Sequence, residues 1–503
     1  MTQMIALISL CLFIAVMIFI GMISRKKAAT MEGFLLGGRE VGPWISAFAY
    51  GTSYFSAVIF IGYAGMHGWN IGLASIWIGV GNAVFGCFLA WMVLAKPTRR
   101  MTQKMNASTM PEFFAARYQS KGMKIFAASI IFIFLVPYTA SIYKGLGSLF
   151  SRIFEGADPI LCMLIVAVLT GIYLVLGGYV ATTLNDFIQG IIMIAGVLLL
   201  AYIVVSRPEV SGIVTGVERL RAIDPQLVSL SGGSNAKFLM TNILLTSFGV
   251  WGLPQMVHKY YAIKNEGSIK TAMIVSTVFS LIIGCGAYFV GSFSRLFIPQ
   301  TANGMPDIVG GYDEVMPTLL MQALSGGTLT NIVLAVIMLC LLSASMSTLS
   351  AVVLSSSSAV AVDLLGEVKP DIKPKKQMQI MRILCAVFIG CSFIFATMNI
   401  SFIVNLMSFS WGIVAGSFIG PFLWGLYSKK VTRAGAWAGL LSGPLVVGGA
   451  ITYFSISSGF GVAKAMAPEL GVLAMFVSII VVPVVSYFTA APEAKHIETI
   501  FSK

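Results

Sequence analysis

Apolar residues along this chain come in blocks of about 20, the length a helix needs to cross roughly 30 Å of hydrocarbon. The blocks fall at 4–24, 44–66, 73–95, 124–150, 159–177, 186–206, 236–256, 271–294, 328–361, 380–398, 402–427, 432–454 and 468–489. Charge, or Gly and Pro, bounds each of them. No ten-residue stretch alternates apolar and polar positions, which argues against an outer-membrane barrel. The pattern predicts an all-α polytopic membrane protein with about 13 transmembrane helices. The first block has no basic segment before it and is followed by Arg25, Lys26 and Lys27, so it reads as a retained span, not a secretory leader.

Alternating sides from an outside N-terminus sorts the 32 Lys and Arg residues unevenly. Eight fall on outside links or adjoining span ends: Lys144, Arg152, Arg207, Arg219, Arg221, Lys237, Arg295 and Lys464. The other 24 fall inside, among them the stretch from Lys96 to Lys124 and the run from Lys369 to Arg382. A three-to-one bias in one register is what the positive-inside rule requires, and a missed span would scramble it. The expectation is a multi-pass protein of the cell (inner or plasma) membrane, with a short cytoplasmic tail at 490–503.

Composition supports the same class. The chain is 57% hydrophobic and 10% charged, against about 25% charged in a soluble domain. The net charge of +13 sits in short links, not on one face, which argues against a nucleic-acid partner. Cys11, Cys87, Cys162, Cys285, Cys340, Cys385 and Cys391 lie in or against apolar blocks without CxxC spacing, and read as small buried apolar residues.

Two spans carry polar interruptions at mid-membrane: Ala49 to Ser56 in the second, and Thr246 to Pro254 in the seventh. Small and hydroxyl residues also let helices pack closely. The two segments are five spans apart, however, so five-span repeats starting at each run in opposite senses, the arrangement in which transporters place their sites. The ninth span carries Ser343 to Ser350, then Ser355 to Ser358. Most of these hydroxyls are expected to bond back to the carbonyl at i−3 or i−4. That geometry also sets Ser347 and Thr348 beside the Ala344 carbonyl, a cluster of neutral oxygens suited to a weakly held Na⁺ once an unwound helix adds carbonyls.

Intramembrane charges are sparse, and each is a functional candidate. Asp186 is expected to open the sixth span, either as a helix cap or as a cation attractor on the inner path. Lys144 is expected to snorkel outward and Asp363 to be solvated. His67, His258 and His496 fall at span ends or in the tail, and no relay of acids and histidines crosses the membrane, which favours Na⁺ over H⁺. Pro137 frees a carbonyl beside Tyr138 in the fourth span, a plausible substrate contact. GxSxG, HExxH and paired intramembrane Asp motifs are missing, which argues against an enzyme. The links are too short for an output domain, which counts against a receptor.

Phe34-Leu35-Leu36-Gly37-Gly38-Arg39, Gly177-Gly178 with Asn185-Asp186-Phe187-Ile188-Gln189-Gly190, Met346-Ser347-Thr348-Leu349, and Gly420-Pro421 with Lys430 to Ala436 occur in order. With these motifs the chain resembles the sodium:solute symporter family along nearly its whole length. The resemblance implies a leucine-transporter-like core of two inverted five-span repeats within one transporter domain. They would lie at 43–206 and 236–427, with one extra helix at 4–24 and two C-terminal helices at 432–489. It implies sodium as coupling ion, held by carbonyls of Thr52, Phe55 and Ala344 and hydroxyls of Ser347 and Thr348. It implies substrate contacts from Ser53, Tyr54, Ser56, Ala57, Tyr138, Thr246, Gly249 and Val250, and roles in ion release or coupling for Asp186 and Arg39.

Within the family, Leu184 to Asp186, Ile223 to Val228, Phe248 to Pro254 and Arg295 to Pro299 are most like pantothenate permeases, although Gln255, His258 and Lys259 depart from that pattern. Proline permeases look similar in plan but carry Asp where this chain has Tyr54. Their pocket Trp and Tyr on the seventh span are replaced by Thr246 and Val250. The expected function is sodium-coupled import of a small organic solute by alternating access, pantothenate or another monocarboxylate being favoured. The alternatives are symport of proline or another amino acid, H⁺ coupling, and a transporter-like solute sensor working with a separate partner protein.

Overall fold

The computed structural model describes residues 2–154, 157–324, 328–398 and 402–502. Positions 155–156, 325–327 and 399–401, inside the two expected repeats, lie outside the described residues. Among the described residues the secondary structure is helical, with only isolated bridges such as that between Val41 and Ile263.

Among the described residues, eleven helices are long and apolar enough to cross a membrane. Two of them, Val58–Lys104 and Pro159–Ser206, run for 47 and 48 residues, twice a single span. Each passes through a glycine with left-handed φ, Gly72 at 65° and Gly178 at 51°. Their ψ angles of −136° and −145° put both in a region open essentially to glycine alone. A Cβ at Gly72 would lie 2.1 Å from the Leu227 carbonyl oxygen, and one at Gly178 would lie 2.7 Å from that of Phe34. Dividing the two helices at these glycines brings the eleven to thirteen crossings, as the block pattern predicts.

The elements that position the site are α1 (Thr2–Ser24), α2 (Pro43–Tyr54), α3 (Ala64–Ile71), α4 (Lys121–Ile153), α5 (Pro159–Ser206), α6 (Ala236–Gly249), α7 (Pro254–Ala262), α8 (Thr328–Ser358) and α9 (Ile403–Tyr427). Helix α1 is apolar all round. Ala6, Phe13, Met17 and Ile20 pack inward, while Leu7, Leu12, Phe19 and Ile23 stay exposed. A helix with two apolar faces suits one that has protein on one side and lipid on the other.

Both interrupted segments are breaks. Helix α2 stops at Tyr54, and Phe55 is extended at φ −104°, ψ 106°. Two amides next to this break find side-chain acceptors: Val58 N–H donates to Ser56 Oγ at 3.2 Å, and Ala57 N–H to Ser345 Oγ at 3.2 Å. Helix α6 stops at Gly249, Leu253 is extended, and α7 restarts with Pro254, whose missing N–H is no loss in a first turn. The segments flanking α2 and α7 are joined at the basic end of the bundle. Val41 N–H donates to the Ala262 carbonyl at 3.3 Å, and Lys264 N–H to that of Val41 at 3.0 Å.

Several sequence expectations change here. Lys144 does not snorkel: it pairs with Asp313 at 3.3 Å. Asp363 is fully buried and accepts from Thr109 Oγ1 at 2.8 Å. His67 and His258 are buried inside helices. All seven cysteines are free thiols, but Cys11 and Cys391 are exposed on the apolar periphery.

Candidate functional site

The break after Tyr54 brings the carbonyls of Thr52 and Ser53 against the serine-rich turn of α8. Ser347 Oγ lies 3.0 Å from the Thr52 carbonyl oxygen and 3.1 Å from that of Ala344. Thr348 Oγ1 lies 3.1 Å from the Ala344 oxygen, 3.2 Å from that of Thr52 and 3.3 Å from that of Ser53. Two hydroxyl hydrogens thus serve three carbonyls in a fully buried cluster of oxygens, which keeps lone pairs to spare. Na⁺ is close in radius to Ca²⁺, whose oxygen ligands sit at about 2.3–2.6 Å, and oxygens arranged around such an ion lie roughly 3.4 Å apart. The cluster has the composition and approximate spacing for a dehydrated monovalent cation. Phe55 forms the turn beside it.

Three other serines of α8 bond back along the helix, while Ser343, Ser356 and Ser357 have buried hydroxyls without a hydrogen-bond partner. Ser345 bonds back to Leu341, Ser350 to Ser347 and Ser358 to Ser355.

On the other side of the break, the Tyr54 hydroxyl donates to the Thr246 carbonyl at 2.7 Å, tying α2 to the last turns of α6. Thr246 Oγ1 is 2.7 Å from Asn82 Oδ1, and Ser247 Oγ is 3.3 Å from the same atom. The Tyr54 ring stacks on Trp411 of α9 at 6.4 Å, and Tyr138 meets the same indole edge-on at 5.6 Å. A Cβ at Gly249 would lie 2.9 Å from Trp411 Cε3, so this glycine leaves room for the indole. Tyr54, Tyr138, Thr246 and Gly249 therefore meet around Trp411, with Ser53 and Val250 their buried neighbours in sequence. Ser56 Oγ accepts from Val58 N–H at the break and also meets the Tyr138 side chain, while Ala57 packs toward Gly145 of α4.

Asp186 and Arg39 pair with residues outside both clusters. Arg39 Nη2 donates to the Ala107 carbonyl at 2.8 Å and Nη1 to that of Tyr261 at 3.4 Å, with Glu32 at 3.8 Å. It fastens the chain before α2 to the end of α7. Asp186 neither opens nor caps its helix. The bend is at Gly178, two turns earlier, and Asp186 is fully buried with Lys259 of α7 at 3.7 Å.

Sequence reasoning gives no role to Asn82, Lys259 or Trp411. Lys259 carried a usable signal, a basic residue five places into the helix that Pro254 starts, where a link was expected. Asn82 and Trp411 carried none beyond being polar-capable residues in apolar blocks.

The model of the sodium:solute symporter family matches residues 34–443. A sodium/proline symporter of Staphylococcus aureus is 30% identical over 509 aligned residues, covering 99% of this chain and 95% of its own. The osmoregulated proline transporter OpuE of Bacillus subtilis is 27% identical, covering 88% and 87%. Among solved structures, a Na⁺-coupled sialic acid symporter in a substrate-bound outward-open state superposes with a TM-score of 0.77 at 17% identity, covering 97% and 98%. Mhp1, a nucleobase-cation-symport-1 family transporter, superposes at 0.51 and 14% identity, covering 93% and 97%.

Proposed function

The chain belongs to the sodium:solute symporter family, and from that premise we propose that it imports a small carboxylate-bearing solute, proline first, together with Na⁺. Sodium is the coupling ion and the protein is a multi-pass membrane symporter. Each Na⁺ entering down about 100 mV supplies roughly 2.3 kcal/mol, to which its concentration gradient adds. The Thr52, Ala344, Ser347 and Thr348 oxygens hold the ion, with Phe55 at the turn. The centre between Tyr54, Tyr138, Thr246 and Val250 holds the solute. Two five-span repeats, 43–206 and 236–427, rock about the broken helices to open one end at a time.

The observation that carries proline is the likeness, over 99% of this chain, to a protein named a sodium/proline symporter. Pantothenate is the second reading. One observation favours it: the centre offers no acidic side chain to pair an ammonium, Tyr54 standing where proline permeases carry Asp. Uptake of radiolabelled proline and pantothenate into proteoliposomes, with Na⁺ and pH gradients imposed separately, tests both. Uptake that follows the pH gradient and ignores Na⁺ overturns the coupling.

The basic end, with Arg39, Arg99 and Arg100, is the cytoplasmic one in this reading, so the N-terminus lies outside and the tail inside. A Lys495→Cys label site in a chain freed of native cysteines should react with an impermeant reagent only in inverted vesicles. Reaction in right-side-out vesicles alone reverses the orientation.

A further inference from the structure

The side chain of Trp411 is the meeting point of the central cluster. It is 1% exposed, and it touches Tyr54 from the first break, Tyr138 from α4 and Gly249 from the second. The indole N–H, Nε1, nevertheless has no hydrogen-bond partner. A buried tryptophan normally places this donor on an acceptor, and leaving it bare costs about 1–3 kcal/mol.

The neighbouring hydroxyls leave it bare: that of Tyr54 donates to the Thr246 carbonyl and that of Ser410, the preceding residue, to Phe134, and neither accepts from the indole. Two other donors of the same region are also bare: Ser53 Oγ, at the break, and Asn82 Nδ2, whose amide oxygen already receives Thr246 and Ser247. Three of the orphaned atoms around the centre can donate, Asn242 Oδ1 one turn before Thr246 only accepts, and no carboxylate stands among them. Donors without acceptors recognise an acceptor-rich, anionic group.

We propose that Trp411 is a specificity-determining residue of the transporter, its indole N–H donating to the carboxylate of the solute while the ring packs against the solute's apolar body. This rests on the reading that the solute bears a carboxylate, and it holds for proline and pantothenate alike. Asn82 is a positioning residue in this scheme. Its amide oxygen fixes the last turns of α6, and its free N–H faces the same polar region. Binding of the solute supplies the missing acceptor, so the closed centre is favoured when it is loaded.

Trp411→Phe keeps an aromatic ring and deletes the donor. A hydrogen bond to a charged group supplies about 1.5–3 kcal/mol, so the apparent Kd of the transported acid should rise by about 10- to 150-fold. Competition by the corresponding uncharged primary amide should change less than about threefold. Half-saturation by Na⁺, measured by ²²Na⁺ binding without solute, should stay within about twofold and shows that the chain is folded. Because phenylalanine also leaves a smaller ring, 3-benzothienylalanine at 411, which matches the indole in shape but lacks the N–H, should reproduce the loss. Equal loss for acid and amide, or no loss with the benzothienyl side chain, overturns the role of Trp411 and leaves carboxylate transport standing. If the wild-type protein takes up neither proline nor pantothenate, the functional reading fails, and this inference with it.

Discussion

Asp186 Oδ2 and Lys259 Nζ face each other at 3.7 Å with both side chains closed off from solvent. Asp186 comes from α5, just past its bend, and Lys259 from the half-helix that follows the second break. Neither carboxylate oxygen of Asp186 has a hydrogen-bond partner among the described residues, while the ammonium also lies 5.1 Å from the Tyr179 ring centre. The pair therefore links the half-helix after the second break to the part of α5 beyond the Gly178 bend, through a contact that carries no net charge.

Removing one partner should be far worse than removing both. Lys259→Met leaves a lone buried carboxylate, at a cost of about 3–5 kcal/mol. Asp186→Asn combined with Lys259→Met removes both charges and should recover most of that loss. Thermal denaturation in detergent across the double-mutant cycle measures this coupling. Additive losses would show that the two groups do not interact.

The bend that delivers Asp186 gives a second expectation. Gly178→Ala forces a side chain into φ 51°, ψ −145°, with its Cβ 2.7 Å from the Phe34 carbonyl oxygen. Strain of about 1–3 kcal/mol follows from the dihedrals alone. The melting midpoint should fall by several degrees, and Asp186 should lose its alignment with Lys259. A variant with unchanged stability would mean the helices relax around the bend.

How far these features were legible depends on what each one needs. The thirteen crossings follow from block length, because a bilayer imposes one dimension on every span. The sodium cluster was legible in part: i−3 and i−4 geometry joins Ala344, Ser347 and Thr348 within one helix, while Thr52 and Ser53 needed the family motif to bring them near. Asp186 was noticed as a charge but misplaced, because a hydropathy block starts where polarity ends, whereas the helix starts at Gly178. Asp363 and Lys144 were misread for another reason. Their partners, Thr109 and Asp313, lie 254 and 169 residues away in sequence, and no local pattern shows a pairing at such range. Trp411 was invisible, since an indole in an apolar span looks like packing until its N–H is found bare.

The oxygen cluster makes a graded prediction. Thr348→Ala removes one ion ligand and should raise the Na⁺ concentration for half-maximal uptake by about 5- to 30-fold, on the scale of 1–2 kcal/mol for a lost polar contact. Thr348→Ser keeps the hydroxyl and should stay within about threefold of wild type. Maximal uptake at saturating Na⁺ should change little in either. Na⁺ titration of proteoliposome uptake separates them, and equal behaviour of alanine and serine would reduce the cluster to packing.

Asp313 lies outside the spans, in the link that closes over the end of the bundle opposite Arg39. Lys144 approaches it at 3.3 Å, the Ile403 N–H donates to it at 3.2 Å, and Glu314 is its acidic neighbour. Burial raises its pKa above the ordinary carboxylate value, and Lys144 with the Ile403 amide offsets that only in part. The packed link therefore binds a proton more tightly than the freed side chain does. Its contribution to closure is full below the ordinary carboxylate range and is lost as pH rises through the raised value. Amide protection factors across Gly311–Ala323, corrected for intrinsic exchange, should accordingly be higher near pH 5 than near pH 8. Asp313→Asn fixes the neutral form and should flatten that dependence. Protection that increases with pH would show that the ion pair with Lys144 outweighs the cost of burying the charge.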